Sequence, residues 1–319
     1  MSDHAVPAGE VAVTPRPRGR RGGVLVRIIR EQPQAMAGLV VLVVTIAIAL
    51  LAPYIAPYSA HAKVGPVYQA PSGKHLLGLD DGGVDMLTLL LWGSRVSLVV
   101  GFAATVVAMI VGGGIGLLAG FFGGKTDVAL MRITDYFLVI PDIPLMIAAA
   151  AIWGRSLVNI ILIIGLIYWT STARLIRAQV KSVRERVYVK RARALGAGHA
   201  RIVFRHVLPQ VAPLLIANTV LTIAVAIFDE TALSFLGLGD PSRISLGKVI
   251  ENAFQRAAIS TGAWWAIVPP GALVAVIILS CSLVGGAIED ALNPRLRVAH
   301  LSARSFRLRP LVGRSADTL

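Results

Sequence analysis

A chain of 319 residues that is 55% hydrophobic and 15% charged, with a mean hydropathy of +0.73, is too apolar for a water-soluble domain. Its formal net charge of +14 raises nucleic-acid binding, but the cations stand in blocks between apolar runs, with no soluble fold to carry them, which argues against it. One cysteine, Cys281, excludes an intrachain disulfide and a cysteine metal site, and the six histidines show no metal-ligand spacing.

Residues 1–34 read as a basic tail, of which 1–23 are rich in Pro, Gly and Arg with little to bury. The apolar run at 35–56 is too long for a cleavable leader and is followed by no small-residue cleavage site, so it is expected to be the first span. A bilayer-crossing helix needs about 20 apolar residues. Further runs at 96–122, 128–153, 157–173, 211–236 and 264–287 meet or approach that length. The predicted fold is all-α: six transmembrane helices in a domain spanning 35–295, followed by a second basic tail at 296–319.

The second run carries Gly112, Gly116, Gly120 and Gly124 at four-residue spacing, a smooth face for close helix packing. Residues 119–126 nearly match a phosphate-binding loop, but Ala119 stands where that pattern requires glycine. The stretch also ends an apolar helix instead of following a buried strand, so a tight turn is expected. Pro141 and Pro144 fall inside the third run, as a hinge or as a static kink. Ionisable residues within spans are costly and count as functional candidates. Asp135 in the third run and the adjacent Asp229 and Glu230 in the fifth are such residues. Each either hydrogen-bonds to a neighbouring helix or lines a pathway, where the Asp229–Glu230 pair would attract a cationic group.

Twenty-four of the 31 basic residues fall in the N-tail, the turn after the second run, the 174–210 segment and the C-tail. The positive-inside rule therefore puts those stretches and both termini in the cytoplasm. The 57–94 and 237–263 loops face outward, and Gly247–Ala258 has the makings of a short interfacial helix. No nucleophile–base set, metal cluster or paired carboxylates in a soluble pocket appears, so no enzymatic chemistry is expected within the chain.

The most informative stretch is 182–209. Tyr188 to Leu195 contains no Gly or Pro, Gly196 ends that helix, 198–208 restarts a helical pattern, and Pro209 marks the return to the membrane. The result is a blunt tip of Ala194, Gly196, Ala197 and Gly198, suited to a partner's groove. Ala192, Gly196 and Leu208-Pro209 resemble the EAA loop of the membrane subunits of bacterial ATP-binding-cassette (ABC) importers. The surrounding Tyr188-Val189, Ala192 to Ala197 and Arg205-His206-Val207-Leu208-Pro209 are similar to the dipeptide, oligopeptide and nickel permeases. So are His75 to Gly82, Phe121 to Gly124, Ala232 to Gly239 and Asp290 to Arg295. The resemblance is greatest to the second, C-type, subunit of that group. Lys190 and Arg191 depart from the Glu-Ala of the EAA pattern, and Lys125-Thr126 from the bulkier residues that follow the paired glycines.

The resemblance implies a permease subunit that pairs with a homologous permease and is seated on two cytoplasmic ATPase subunits. Those subunits, not this chain, would bind ATP and magnesium. An external binding protein would deliver a peptide, or in the nickel branch a small solute, onto the outer loops. The loop residues Tyr188, Ala192, Ala194, Leu195, Gly196, Ala197, His206, Leu208 and Pro209 would couple to the ATPases, with Asp135, Pro141, Asp229 and Glu230 as pathway or gate candidates. A self-contained channel or secondary transporter would instead show internal repeats with interrupted helices, and no such repeat is visible.

Overall fold

The computed structural model describes residues 32–292. The tails expected at 1–34 and 296–319 lie outside the described residues, apart from 32–34. Ten helices follow one another: α1 (Pro33–Ile55), α2 (Met86–Phe122), α3 (Gly124–Val139), α4 (Asp142–Trp153), α5 (Leu157–Arg184), α6 (Val187–Ala194), α7 (His199–Ile202), α8 (Leu208–Phe235), α9 (Leu246–Gln255) and α10 (Val268–Leu292). A π-helical turn, Val203–Val207, joins α7 to α8. Among the described residues the only β-type pairing is an isolated bridge between Leu79 and Asp85. Five helices are long and apolar enough to cross a membrane, and six spans result when the bent pair α3–α4 counts as one.

Several boundaries differ from the sequence expectation, each for a local reason. The second span begins at Met86 instead of 96, because Asp85 caps it: its carboxylate accepts from the Thr88 N–H at 2.9 Å and the Thr88 hydroxyl at 3.0 Å. The third span is two helices meeting at 88°. Pro141 disfavours helical geometry at the residue before it, and Ile140 is accordingly extended (φ −80°, ψ 126°). Pro144 falls in the first turn of α4, where its missing N–H costs little. The fourth span runs on to Arg184, well past 173. Pro209 does not interrupt the chain: it stands in the first turn of α8. Its ring excludes the carbonyl four residues back, and the turn before it widens, with the Leu208 N–H reaching the Val203 carbonyl.

Helix α2 is the axis of the bundle. Its buried face meets α5 along a row of glycines. A Cβ on Gly112 would stand 2.3 Å from the Trp169 carbonyl oxygen, on Gly116 2.5 Å from that of Ala173, and on Gly120 2.8 Å from Val180 Cβ. Gly124 is not part of this row: it opens α3 with nothing within 4 Å. Val100 and Ala104 of α2 form one core with Ile160, Ile163, Ile164 and Ile167 of α5 and Met146 and Ala150 of α4. On the other side α8, α10 and α1 close around Leu98, with Ile223, Ile227, Ile277 and Ala49 buried together.

The close approach makes a stability prediction. Gly116→Leu drives a side chain into α5 backbone, which cannot yield as a side-chain end can, and overpacking of this kind costs about 1–3 kcal/mol or more. Gly114, with nothing within 4 Å of its Cβ position, is the control. Thermal melts of the detergent-solubilised protein should show Gly116→Leu well below wild type and Gly114→Leu near it; equal melting of the two variants rules out the α2–α5 seam as a close-packed contact.

Candidate functional site

The two ends of the bundle are built differently. At the basic end, α6 and α7 form a hairpin on the ends of α2 and α5. Val189, Ile202, Val207 and Val211 bury against Phe121 of α2 and Ile176, Val180 and Val183 of α5. Phe121 is the centre of this seat. Its ring meets His199 edge-on at 5.8 Å, the Arg193 guanidinium lies 5.9 Å from its centroid, and Arg184 donates to its carbonyl at 3.0 Å. Tyr188 and His206, on opposite arms of the hairpin, hold their rings 6.2 Å apart.

The turn at the tip has a defined cause. The Gly196 N–H donates to the Arg193 carbonyl and the Ala197 N–H to the Ala192 carbonyl, both at 3.0 Å. These two bonds are a Schellman C-cap, which requires a left-handed residue between them, and Gly196 has φ 80°. Ala197 folds back onto the buried cluster, as that motif favours. Among the described residues the outward side is empty: neither Gly196 nor Gly198 has an atom within 4 Å of its Cβ position, and Leu195 is 88% exposed. Tyr188, Ala194 and Pro209 are exposed, whereas Ala192, His206 and Leu208 are half-buried. The structure thus brings the coupling-loop candidates into one projecting hairpin, with one strongly apolar side chain at its apex.

The charges around the tip are mostly one sign. Lys190 is tied back, its ammonium 2.9 Å from Glu185, and that bond and charge hold the Glu185 carboxyl below the usual carboxylate range. Arg186, Arg191, Arg193, Arg201 and Arg205 are exposed and make no ion pair among the described residues. Of the Lys190–Arg191 departure, only Arg191 is therefore unengaged.

The candidates within the spans are not gathered in one place. Asp135 pairs with Arg174 at 2.6 Å, both half exposed. One helical stretch earlier on α3, Asp127 is buried and takes Arg177 through both guanidinium contacts and Lys181 at 2.5 Å. These bonds fasten α3 to α5 next to the hairpin. Pro141 stands exposed at the break between α3 and α4. Asp229 and Glu230 are buried but face different neighbours. Asp229 accepts from the Tyr168 hydroxyl at 2.6 Å, with Asp142 of α4 in electrostatic reach. Glu230 accepts from Ser97 at 2.6 Å and Ser234 at 2.8 Å. The stretch 119–126 is helix end, turn and helix start, not strand, loop and helix, and gives no phosphate cradle.

At the opposite end, residues 56–85 and α9 fold into a cap. Met86, Leu89 and Leu90 pack with Val249 and Ala253 of the amphipathic α9 and with Ala258, Ala263 and Ala266. The interfacial helix expected at 247–258 is α9, Leu246–Gln255. His75 Nδ1 lies 3.1 Å from Asp85, both fully enclosed, and the Trp265 indole N–H donates to the Leu79 carbonyl at 3.1 Å. Asp240, on the loop before α9, is held below the usual carboxylate range: burial opposes this, but the Ser242 hydroxyl and N–H, the Leu157 N–H and the nearby Arg243 charge outweigh it. Between this cap and the end of α1 opens a cavity of about 840 Å³ with Arg95 in its wall. Arg95 lies one residue before the apolar run at 96–122, so the run alone does not single it out. The sequence signal is the pair Ser94-Arg95, which interrupts the apolar residues of α2.

Residues 112–298 match the family described as binding-protein-dependent transport system inner membrane component. Residues 24–71 match the N-terminal transmembrane domain of oligopeptide transport permease C. The chain is 35% identical to the dipeptide transport system permease protein DppC of Alkalihalophilus pseudofirmus over 272 residues, covering 84% of this chain and 88% of that one. It is 32% identical to the oligopeptide transport system permease protein OppC of Bacillus subtilis over 270 residues, covering 84% and 88%. Among solved structures, an inward-facing MetNI methionine ABC transporter chain aligns with a TM-score of 0.50 at 20% identity, covering 65% of this chain and 97% of that chain. That likeness is one of fold.

Proposed function

Because the chain belongs to the binding-protein-dependent transport system inner membrane components, it is a multi-pass permease subunit of an ABC importer, and we propose that its cargo is a di- or oligopeptide. Relatives of this identity carry dipeptide and oligopeptide names over nearly their whole length, which favours peptides over nickel or another small solute. The bundle forms half of the translocation pathway, and a homologous permease forms the other half. Hydrolysis of ATP, with its magnesium, takes place on two separate cytoplasmic ATPase subunits. An extracytoplasmic binding protein docks on the cap built from 56–85 and α9. Both termini and the hairpin face the cytoplasm, in line with the clustering of Lys and Arg at that end. The domain runs over 35–295, flanked by the basic tails.

The observation that carries the coupling role is the hairpin itself: a rigid, glycine-turned tip seated on Phe121, with Leu195 projecting from it. Closure of the ATPases moves a body so seated together with α2 and α5, and so switches the pathway between inward- and outward-facing arrangements. With Leu195→Cys in the assembled complex, we expect an efficient crosslink to an ATPase subunit whose yield changes between nucleotide-free and ATP-trapped states. A crosslink confined to the other permease, or none, would sink the assignment. Uptake of di- and tripeptides against nickel by the reconstituted complex decides the cargo.

A further inference from the structure

The wall of the outer cavity holds an arginine with no counter-charge among the described residues. Arg95 is the one charged residue in the 37 residues of α2. It is half-buried and makes no ion pair or hydrogen bond among the described residues; its guanidinium lies 5.7 Å from the Trp92 ring centroid. A cation within a span is costly unless something answers its charge. Around it the cavity is lined by Arg243 and His61, by Tyr58, Ser59 and Ser242, and by apolar groups including Val96, Val99 and Leu157, with no carboxylate in the lining among the described residues. Asp240, beside Arg243, already accepts three hydrogen bonds, from the Leu157 N–H, the Ser242 N–H and the Ser242 hydroxyl. It forms no close ion pair with Arg243 among the described residues, although the Arg243 charge is within electrostatic reach of it.

We propose that Arg95, with Arg243 at the rim, is a carboxylate site that takes the C-terminal carboxylate of the incoming peptide. This rests on the peptide reading above. The volume of about 840 Å³ suits a small-molecule site, and guanidinium is the group best matched to a carboxylate. The apolar strip of Val96, Val99 and Leu157 beside the cations offers a seat for a peptide side chain. A lipid phosphate is the competing anion, and retention of phosphatidylglycerol distinguishes it.

The test uses the complete importer in liposomes, with its binding protein saturated either with a dipeptide or with the same dipeptide amidated at its C-terminus. Wild type is expected to import the free acid about tenfold faster than the amide, the worth of a hydrogen bond to a charged group. Arg95→Gln is expected to bring the acid down to the rate of the amide, and Arg95→Lys to keep most of the preference. Arg243→Gln, at an exposed position where little packing is lost, is expected to reduce the preference part-way, which covers the case in which Arg95→Gln fails to assemble. An assembled Arg95→Gln complex that still prefers the acid as wild type does overturns the proposal. If that complex has instead lost co-purifying phosphatidylglycerol, the cavity belongs to a lipid headgroup. A wild-type complex that imports neither peptide removes the peptide reading itself, and this site with it.

Discussion

A complex carrying Gly196→Trp is expected to assemble normally and to lose peptide-stimulated ATP hydrolysis, with uptake down about a hundredfold or more, the size of effect seen when a packed contact at an interface centre is disrupted. Two effects combine at this position. Gly196 holds φ 80°, a conformation that costs any residue with a Cβ about 1–2 kcal/mol, so part of the loss is a reshaped tip. The remainder is bulk, since no atom of the described residues fills the space beside Gly196, which leaves it open to a partner. Two further substitutions separate these contributions. Gly196→Ala keeps the tip slim and tests conformation alone, with a loss of several-fold expected. Gly198 has an ordinary φ of −65° and equally open surroundings, so Gly198→Trp tests bulk alone and should approach the full effect. ATP hydrolysis and a melting curve for each assembled complex decide the matter. Wild-type coupling in Gly198→Trp would mean that no groove closes over this tip.

The tip was readable in the sequence because its causes are local. A helix-compatible run, a glycine at the point where the apolar face ends and a second run are all contained in about twenty residues, and the Schellman bonds follow from them. The break at Pro141 was readable as a bend for the same reason, although its 88° angle depends on the packing of α4 against α5. Span limits were less legible. Asp85 and Arg95 look like loop residues until the cap of 56–85 and α9 is in place to house the start of α2. The least legible feature was the difference between Asp229 and Glu230. Adjacent acids in one apolar run look alike in sequence, and what distinguishes them comes from Ser97, which is 133 residues away, and from Tyr168 on another helix.

That difference leads to opposite outcomes for the two acids. Glu230 is 1% exposed and gathers three elements: it accepts from Ser97 of α2 and Ser234 of α8, and the Ser97 oxygen in turn accepts from the Leu246 N–H that opens α9. Glu230→Ala strands these buried donors, at roughly 1–3 kcal/mol each, and opens a cavity. A severe loss of folded protein is expected, while Glu230→Gln, which keeps an acceptor oxygen, should recover much of it. Among the described residues Asp229 has a single hydrogen-bond partner, the Tyr168 hydroxyl, and it lies near the exposed Asp142 at the break between α3 and α4. Asn at 229 can still accept that bond, so Asp229→Asn should melt close to wild type. If this carboxylate faces the pathway once the second permease is in place, the variant imports lysine-containing peptides about fivefold more slowly and neutral ones unchanged. A charge acting across a few ångströms of wet surroundings is worth about 1 kcal/mol. Equal slowing of both peptide classes would assign Asp229 to packing, and a Glu230→Ala protein as stable as wild type would remove Glu230 from the junction of α2, α8 and α9.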